Sequence, residues 1–504
     1  MIKTPEQYRE SLKDGRFVFY EGQKIYDLES DPVLKAGVEL CAMDYTMMND
    51  PKFRDLFVDT DENGEEYSFV FKMPKTKEDL QRRREIIKTM SRTCLEAAGG
   101  AKFTGVDALH SITATTMKMD KEMGTNYNAR VEAFRKDIMK NDSALVVAMT
   151  DIKGNRSLRP SKQEQHKDFY VHIVEEREDG IVVRGAKAHI SHSPFANEII
   201  AVPCRAMRED EKDYAVAFAV KPNTPGLKLI LAKHATTVHD KFEAPITGSR
   251  YIGDAIVVFD DVFIPNDRVF LKGEWQYAGE MAYMFSNFHR LSADSYKINE
   301  LEILTGTAAL LAEYNGLEKV SHVKEKLSWL MYYSETAEAL GMVAIDHFET
   351  DPISGMVYPN SMYSNCAKYF FATQHHHALS LMQDIGGGIL STVPSAKDLY
   401  NPECRPYIDK YLQGKAGIPA EYRMRAIHLA RDVSEATRPI TTLHAEGSLY
   451  AQVINFSTYG DWDLYKAAAK RAANIPDDKK TVFSDLPDFG WWRDAIDVNK
   501  DVAK

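Results

Sequence analysis

The stretch FSNFHRLSADSYK (285–297) sets a histidine beside an arginine, with a tyrosine and a lysine shortly after. A histidine can give or take a proton near neutral pH, so His289 is a candidate acid or base. Near a helix start the same residue type also serves as a cap or a packing group. Both readings of His289 stand on the residues alone. Glu446, in TLHAEGS beside His444, is either a solvated carboxylate or a general base.

Three further stretches carry donors or bare backbone. QDIGGGILSTVPS (383–395) is the most visible glycine cluster. It is neither a Walker A loop nor a GxGxxG turn after a strand, which leaves those nucleotide folds without support. It reads either as a helix C-cap with a tight turn or as backbone open to a phosphate or an adenosine. MTDIKGNRSLRPS (149–161) follows a strand pattern and offers hydroxyls, amides and Arg156. In AKAHISHS (186–193) strand alternation puts His189, Ser191 and Ser193 on one face and His192 on the other, as ligand donors or as plain edge-strand chemistry. The run HHH (375–377) lies in helical texture, where consecutive residues cannot share a face, so a metal site there is disfavoured.

Elements must position these groups. Thr4, Pro5 and Gln7 spell a capping box opening a helix that Gly15 ends. RFVFYEGQKIYD reads as a hairpin turning at Glu21-Gly22. Leu80, Ile87, Met90 and Cys94 recur at helical spacing between about 75 and 98. From Ser143 the texture changes to six short runs rich in β-branched and aromatic residues, ending at Pro265, as expected of a barrel or sandwich. Beyond Glu274 the helical period returns, with Leu301, Leu304, Ala308 and Leu311 on one buried stripe. The last stretch, from IPDDKK onward, is irregular.

The 504 residues suggest about three domains. A net charge of −11 argues against a nucleic-acid surface. No apolar run reaches the ~18 residues of a membrane span, and MIKTPEQYRE lacks a signal-peptide pattern. A cytoplasmic protein is expected. The five cysteines contain no CxxC pair, which favours reduced thiols.

As a set these stretches resemble the superfamily of 4-hydroxyphenylacetate 3-monooxygenase and 4-hydroxybutyryl-CoA dehydratase. The resemblance spans nearly the whole chain through YRESLKDGRFVFYEG, AMTDIKGNRS, GAKAHISHS, HRLSADSYK, QDIGGGILSTVPS and LHAEGS. AMTDIKGNRS and HRLSADSYK are closer to the dehydratase branch. The resemblance implies an α+β, acyl-CoA dehydrogenase-like fold: a helical domain (1–142), a β-barrel domain (143–273) and a helical bundle (274–504). It implies FAD, held by Met149, Thr150, Asp151, Gly154, Asn155, Arg156 and Ser157 and by His189 and Ser191. Gln383, Gly386, Gly387 and Gly388 would meet the cofactor's adenosine end. A homotetramer sharing that site between subunits is implied too.

The departures matter more. The dehydratase branch holds an iron–sulfur cluster on three cysteines and a histidine. His289 matches the histidine, but Gly99, Phe103 and Tyr296 stand at the cysteine positions, and Cys94 alone cannot replace them. No cluster is therefore expected. The resemblance makes His289, Lys297 and Glu446 the catalytic candidates and Phe103, Tyr296 and Arg92 the substrate pocket. Lys297, two turns beyond His289, can turn a positive charge toward it or hold a carbonyl oxygen. The first functional expectation is α-proton abstraction from an acyl-CoA or similar activated acid, leading to isomerisation, oxidation or reduction at CH–CH, or elimination. The alternative is a two-component monooxygenase that takes reduced FAD from a reductase partner and hydroxylates a phenol. Arg92 falls where that branch has a substrate arginine, without the accompanying tyrosine. A non-catalytic flavoprotein scaffold is the third reading.

Overall fold

The computed structural model describes residues 2–95, 100–234, 240–434, 438–473 and 475–487. The chain divides into Met1–Gln452 and Val453–Lys504.

The first unit opens with helix α1 (Pro5–Ser11). Thr4 Oγ1 accepts from Gln7 N while the Gln7 side chain accepts from Thr4 N, as the sequence predicts. The helix ends at Leu12, not at Gly15, which sits beyond it at φ +85° in the following turn. Strands β1 (Val18–Tyr20) and β2 (Gln23–Ile25) form the expected hairpin. Glu21 and Gly22 both take positive φ, as a tight two-residue turn requires. Helices α2 (Pro32–Asn49) and α3 (Arg54–Phe57) follow, then a hairpin of β3 (Val58–Thr60) and β4 (Glu66–Ser68). Next come α4 (Lys77–Cys94), α5 (Phe103–Met123) and α6 (Tyr127–Lys140).

All six predicted runs are strands: β5 (Leu145–Ala148), β6 (His172–Glu176), β7 (Gly180–Ile190), β8 (Glu198–Ala201), β9 (Val216–Val220) and β11 (Ala255–Pro265). Two more, β10 (Leu227–Leu231) and β12 (Val269–Lys272), join them. These strands, with the N-terminal hairpin, form two sheets, ordered β2-β1-β10-β11-β7-β6 and β12-β9-β8-β5, so the closed barrel is not what they show. The N-terminal hairpin belongs to the larger sheet, because β1 pairs in parallel with β10. Phe218 and Phe259, one from each sheet, meet edge to face with centroids 5.4 Å apart, inside one shared apolar core.

The helices then return as α7 (Trp275–Tyr314) and α8 (Ser321–Asp346). After the short pair β13 (Glu349–Thr350) and β14 (Val357–Tyr358) comes α9 (Ser361–Gly386), followed by α10 (Ile389–Thr392), α11 (Ala396–Tyr400) and α12 (Arg405–Tyr411). Then come α13 (Ala420–Ser434), α14 (Arg438–His444) and α15 (Leu449–Tyr459), within which the division of the chain falls. The predicted stripe Leu301, Leu304, Ala308 and Leu311 is buried. The second unit carries α16 (Trp462–Ala472), whose start is capped by Asp461 accepting from Leu464 N. Among the described residues no helix is long and apolar enough to cross a membrane.

What sets this fold apart is α7. Between Asn287 and Glu300 it buries Arg290, Ser292, Asp294, Lys297 and Asn299 together with its apolar residues. Polar groups taken out of water need partners, so the helices around α7 must supply them.

Candidate active site

His289 lies about four turns inside α7, so the reading of it as a helix-start cap is corrected. Its ring stacks on Phe285 with centroids 4.8 Å apart. Its Nδ1 is 3.1 Å from Asp107 Oδ2. A carboxylate can only accept, so Nδ1 carries the hydrogen and Nε2 is left with its lone pair. Asp107, on α5, is fully buried. Its other oxygen accepts from Arg83 Nη2 at 2.6 Å and from Ser292 Oγ at 3.1 Å. Arg83, on α4, also donates to the carbonyls of Phe103 and Val70. One guanidinium thus fixes the start of α5 and neutralises the carboxylate that orients His289.

Phe103 and Tyr296 are both buried and meet with ring centroids 5.9 Å apart. Gly99 lies outside the described residues. Cys94 ends α4 and is buried. Among the described residues no group of three or more histidines, cysteines, aspartates or glutamates is arranged to hold a metal ion. The benzyl side chain of Phe103 cannot ligate iron, while His289 keeps Nε2 open, with Nδ1 held by Asp107.

Lys297 is buried and pairs with Glu300 Oε2 at 2.9 Å, while also donating to Thr442 Oγ1 at 3.2 Å. Thr442 in turn donates to Glu300 Oε1 at 2.5 Å. The lysine thus faces α14. Glu446 is corrected from a solvated carboxylate to a buried one: its side chain is 1% exposed, and its φ of +60° turns it inward. Burial drives its carboxyl well above the usual range, partly opposed by the charge of Arg290. Arg290 therefore links the two halves of the site, since it follows His289 on α7 and faces the Glu446 turn. Arg92 is half-exposed and engaged by both oxygens of Glu302, so the structure does not bring it to this cluster.

A second group of predicted residues meets on the larger sheet. The carbonyl of Thr150 accepts from Ala188 N, which lays the loop 150–157 along the end of β7. Asp151 is spent structurally, on Lys187 Nζ at 2.8 Å and Val171 N at 2.9 Å. Met149 gives its carbonyl to the same lysine. Gly154 takes φ +50° with Phe169 close by. Asn155 Oδ1 accepts from both the amide and the hydroxyl of Ser157. Asn155, Arg156, Ser157 and His189 are exposed. Ser191 Oγ donates to Asp254, which His234 also approaches at 3.2 Å. Burial raises the Asp254 carboxyl, but these two bonds outweigh it and hold it below the usual range.

The strand alternation does not continue through this end. His189 and His192 both take positive φ, so Ser191 and Ser193 leave the common face. His192 turns inward to Cys41 Sγ at 3.3 Å. Gln383 to Gly388 close α9, with Gly387 at φ +70° capping it through its amide to the Gln383 carbonyl. Gln383, Gly387 and Gly388 are exposed, and Gly386 is buried. In the HHH run His375 is buried and the other two are exposed, as the helix period requires.

Sequence reasoning did not assign Asp107, Arg83, Glu300 or Lys368. Lys368 had a signal: Ser364, Lys368, Phe371 and His375 follow helical spacing, and a lysine inside such a stripe is buried with a purpose.

Two family models cover the chain, 4-hydroxyphenylacetate 3-hydroxylase N terminal over residues 4–271 and C terminal over 278–474. The chain belongs to the 4-hydroxyphenylacetate 3-hydroxylase family. The 4-hydroxybutyryl-CoA dehydratase/vinylacetyl-CoA-Delta-isomerase of Clostridium aminobutyricum is 32% identical over 94% of this chain and all of that protein. The 4-hydroxyphenylacetate 3-monooxygenase oxygenase component of Thermus thermophilus is 28% identical over 86% of this chain and 89% of its own length. Among solved structures, an oxygen-tolerant archaeal 4-hydroxybutyryl-CoA dehydratase from N. maritimus matches with a TM-score of 0.88 at 28% identity, over 95% and 97% of the two chains. An oxygenase component of 4-hydroxyphenylacetate 3-monooxygenase complexed with FAD matches at 0.85 and 27%, over 93% and 98%. The family thus joins dehydratase and monooxygenase branches on one mixed α+β fold, and this chain is an enzyme of that superfamily.

Proposed function

We propose that the chain is an FAD-dependent enzyme that removes the α-proton of an acyl-CoA or a similar activated acid, without an iron–sulfur cluster. The observation that carries this reading is the Asp107–His289 pair. A buried carboxylate holds the imidazole in one tautomer and leaves Nε2 as a base. The α-proton of a thioester is acidic enough for such a base once hydrogen-bond donors receive the charge on the carbonyl oxygen. Glu446 is the second acid–base group. Phe103 and Tyr296, which the resemblance sets where the dehydratase branch has thiolates, make an organic wall for the substrate in this reading.

The donor set around loop 150–157 fits a flavin. The Thr150 hydroxyl, Arg156 and His189 are neutral or cationic donors, suited to an electron-rich ring edge and to phosphate, while Ser157 and Ser191, whose hydrogens go to Asn155 and Asp254, offer oxygen lone pairs. Bound there, FAD supplies redox chemistry at the substrate's Cα–Cβ bond. A solved relative complexed with FAD supports a flavin as the cofactor. The exposed end of α9 at Gly387 and Gly388 supports a homotetramer in which these glycines meet a neighbouring subunit's cofactor.

Phenol hydroxylation with a reductase is the second reading, favoured by the oxygenase relatives. The pairing of Arg92 with Glu302 weighs against it. The deciding test is an anaerobic titration of the FAD-loaded protein with acyl-CoA thioesters and phenols. Perturbation of the flavin spectrum by thioesters supports the first reading. A response to phenols alone, with hydroxylation on adding a reductase, overturns it.

A further inference from the structure

Lys368 sits on α9 and is entirely buried. Two of its three ammonium donors have partners in the backbone: Nζ reaches the carbonyls of Thr442 at 3.3 Å and Leu443 at 3.2 Å, at the end of α14. The same nitrogen is 3.7 Å from Glu446 Oε2. That oxygen is buried and accepts no hydrogen bond from the protein. Backbone strain, a lysine without surface access and a carboxyl oxygen without a hydrogen bond thus converge at one point.

We propose that Lys368 is the proton partner of Glu446, positioning its carboxyl and exchanging one proton with it. The inference deepens the role given to Glu446 above and rests on that reading for its use in catalysis. Moving the proton to Lys368 breaks the Glu446 O–H bond and forms an N–H bond, turning a neutral pair into an ion pair with no change in total charge. Glu446 is then a carboxylate able to accept a proton. The reverse transfer makes it an acid able to donate one. A reaction that takes a proton at one carbon and returns it at another needs both forms.

The charged groups around the pair balance the two states. From α7 come Arg290, Lys297 and Glu300, from α9 itself comes His375, and from the turn after α14 comes Glu446. Burial first, then repulsion from Lys297 and Arg290, brings Lys368 down to about 7 against the attraction of Glu300. Burial lifts the Glu446 carboxyl toward it from the other side. Both shifts favour the neutral pair over what the two groups would form in water, the direction that proton sharing requires.

The test is infrared difference spectroscopy of the FAD-loaded protein across the neutral pH range. The Glu446 carboxylic-acid band is assigned as the one lost in Glu446→Gln. Lys368→Met removes the cation, and the band should persist to a pH higher by about one unit or more. Lys368→Arg keeps a charge that cannot leave, and the band should vanish across the neutral range. Flavin content reports whether each variant is folded, and either variant suffices alone. An unchanged titration in a folded variant, or no band attributable to Glu446, overturns the proposal. Neither readout uses a substrate, so failure of the acyl-CoA reading would leave this result standing.

Discussion

At the scale of single residues, the proposed reaction needs Asp107 to hold His289. His289→Ala should abolish turnover and leave FAD bound, as measured by activity beside the flavin-to-protein ratio. Asp107→Asn keeps the shape but lets the imidazole adopt either tautomer, and kcat should fall about 10- to 100-fold. The same change leaves Arg83 buried without its anion, so unfolding free energy should drop by about 3–5 kcal/mol. A loss of stability without loss of kcat would make Asp107 structural only. The candidate bases were legible in the sequence because histidine and glutamate advertise their chemistry. Asp107 was visible only as a letter in TGVDA, because its partners Arg83 and Ser292 come from other helices, 24 residues before it and 185 after it.

At the scale of elements, local signals were read well and non-local ones were not. The Thr4–Gln7 box and the Glu21-Gly22 turn are written in adjacent residues, and both formed. Strand β10 alternates buried Leu227, Leu229 and Leu231 with Lys228 and Ile230, a period-2 pattern that was present but short. Its parallel partner β1 lies some two hundred residues earlier, a pairing no local pattern encodes. Position in the site also depends on how closely α5 approaches β5. A Cβ on Gly105 would lie 2.4 Å from the backbone of Leu145, so only glycine permits this contact. Gly105→Ala should push α5 outward, costing about 1–3 kcal/mol and lowering activity by misplacing Phe103 and Asp107. Denaturant midpoints and kcat, taken together, check it; wild-type values for both would show that α5 is not held this way.

At the scale of the whole molecule, α4, α7 and α8 are tied by ions. Arg84 and Lys88 on α4 both bond Glu338 on α8. Burial raises the Glu338 carboxyl, but these bonds outweigh it and hold it at about 2, below its ordinary 4.5. A depressed carboxylate stabilises the fold above its unfolded pKa, and that contribution is lost as pH falls toward the folded value. Glu338→Gln should therefore flatten the decline of stability in that acid window, followed by thermal unfolding against pH; an unchanged slope would place the acid sensitivity elsewhere. Light scattering of the yellow, FAD-loaded protein should give a tetramer, and a monomer that retains FAD would contradict the shared site.

The central claim is α-proton abstraction by His289 from an acyl thioester. The most direct measurement is deuterium uptake from D2O at the α-carbon of a β,γ-unsaturated acyl-CoA, followed by NMR under anaerobic conditions with FAD-loaded protein. Wild-type protein should exchange the α-proton and move the double bond, while His289→Ala, equally loaded with FAD, should do neither. Absence of exchange with a broad panel of thioesters, or full exchange in the alanine variant, would contradict the account.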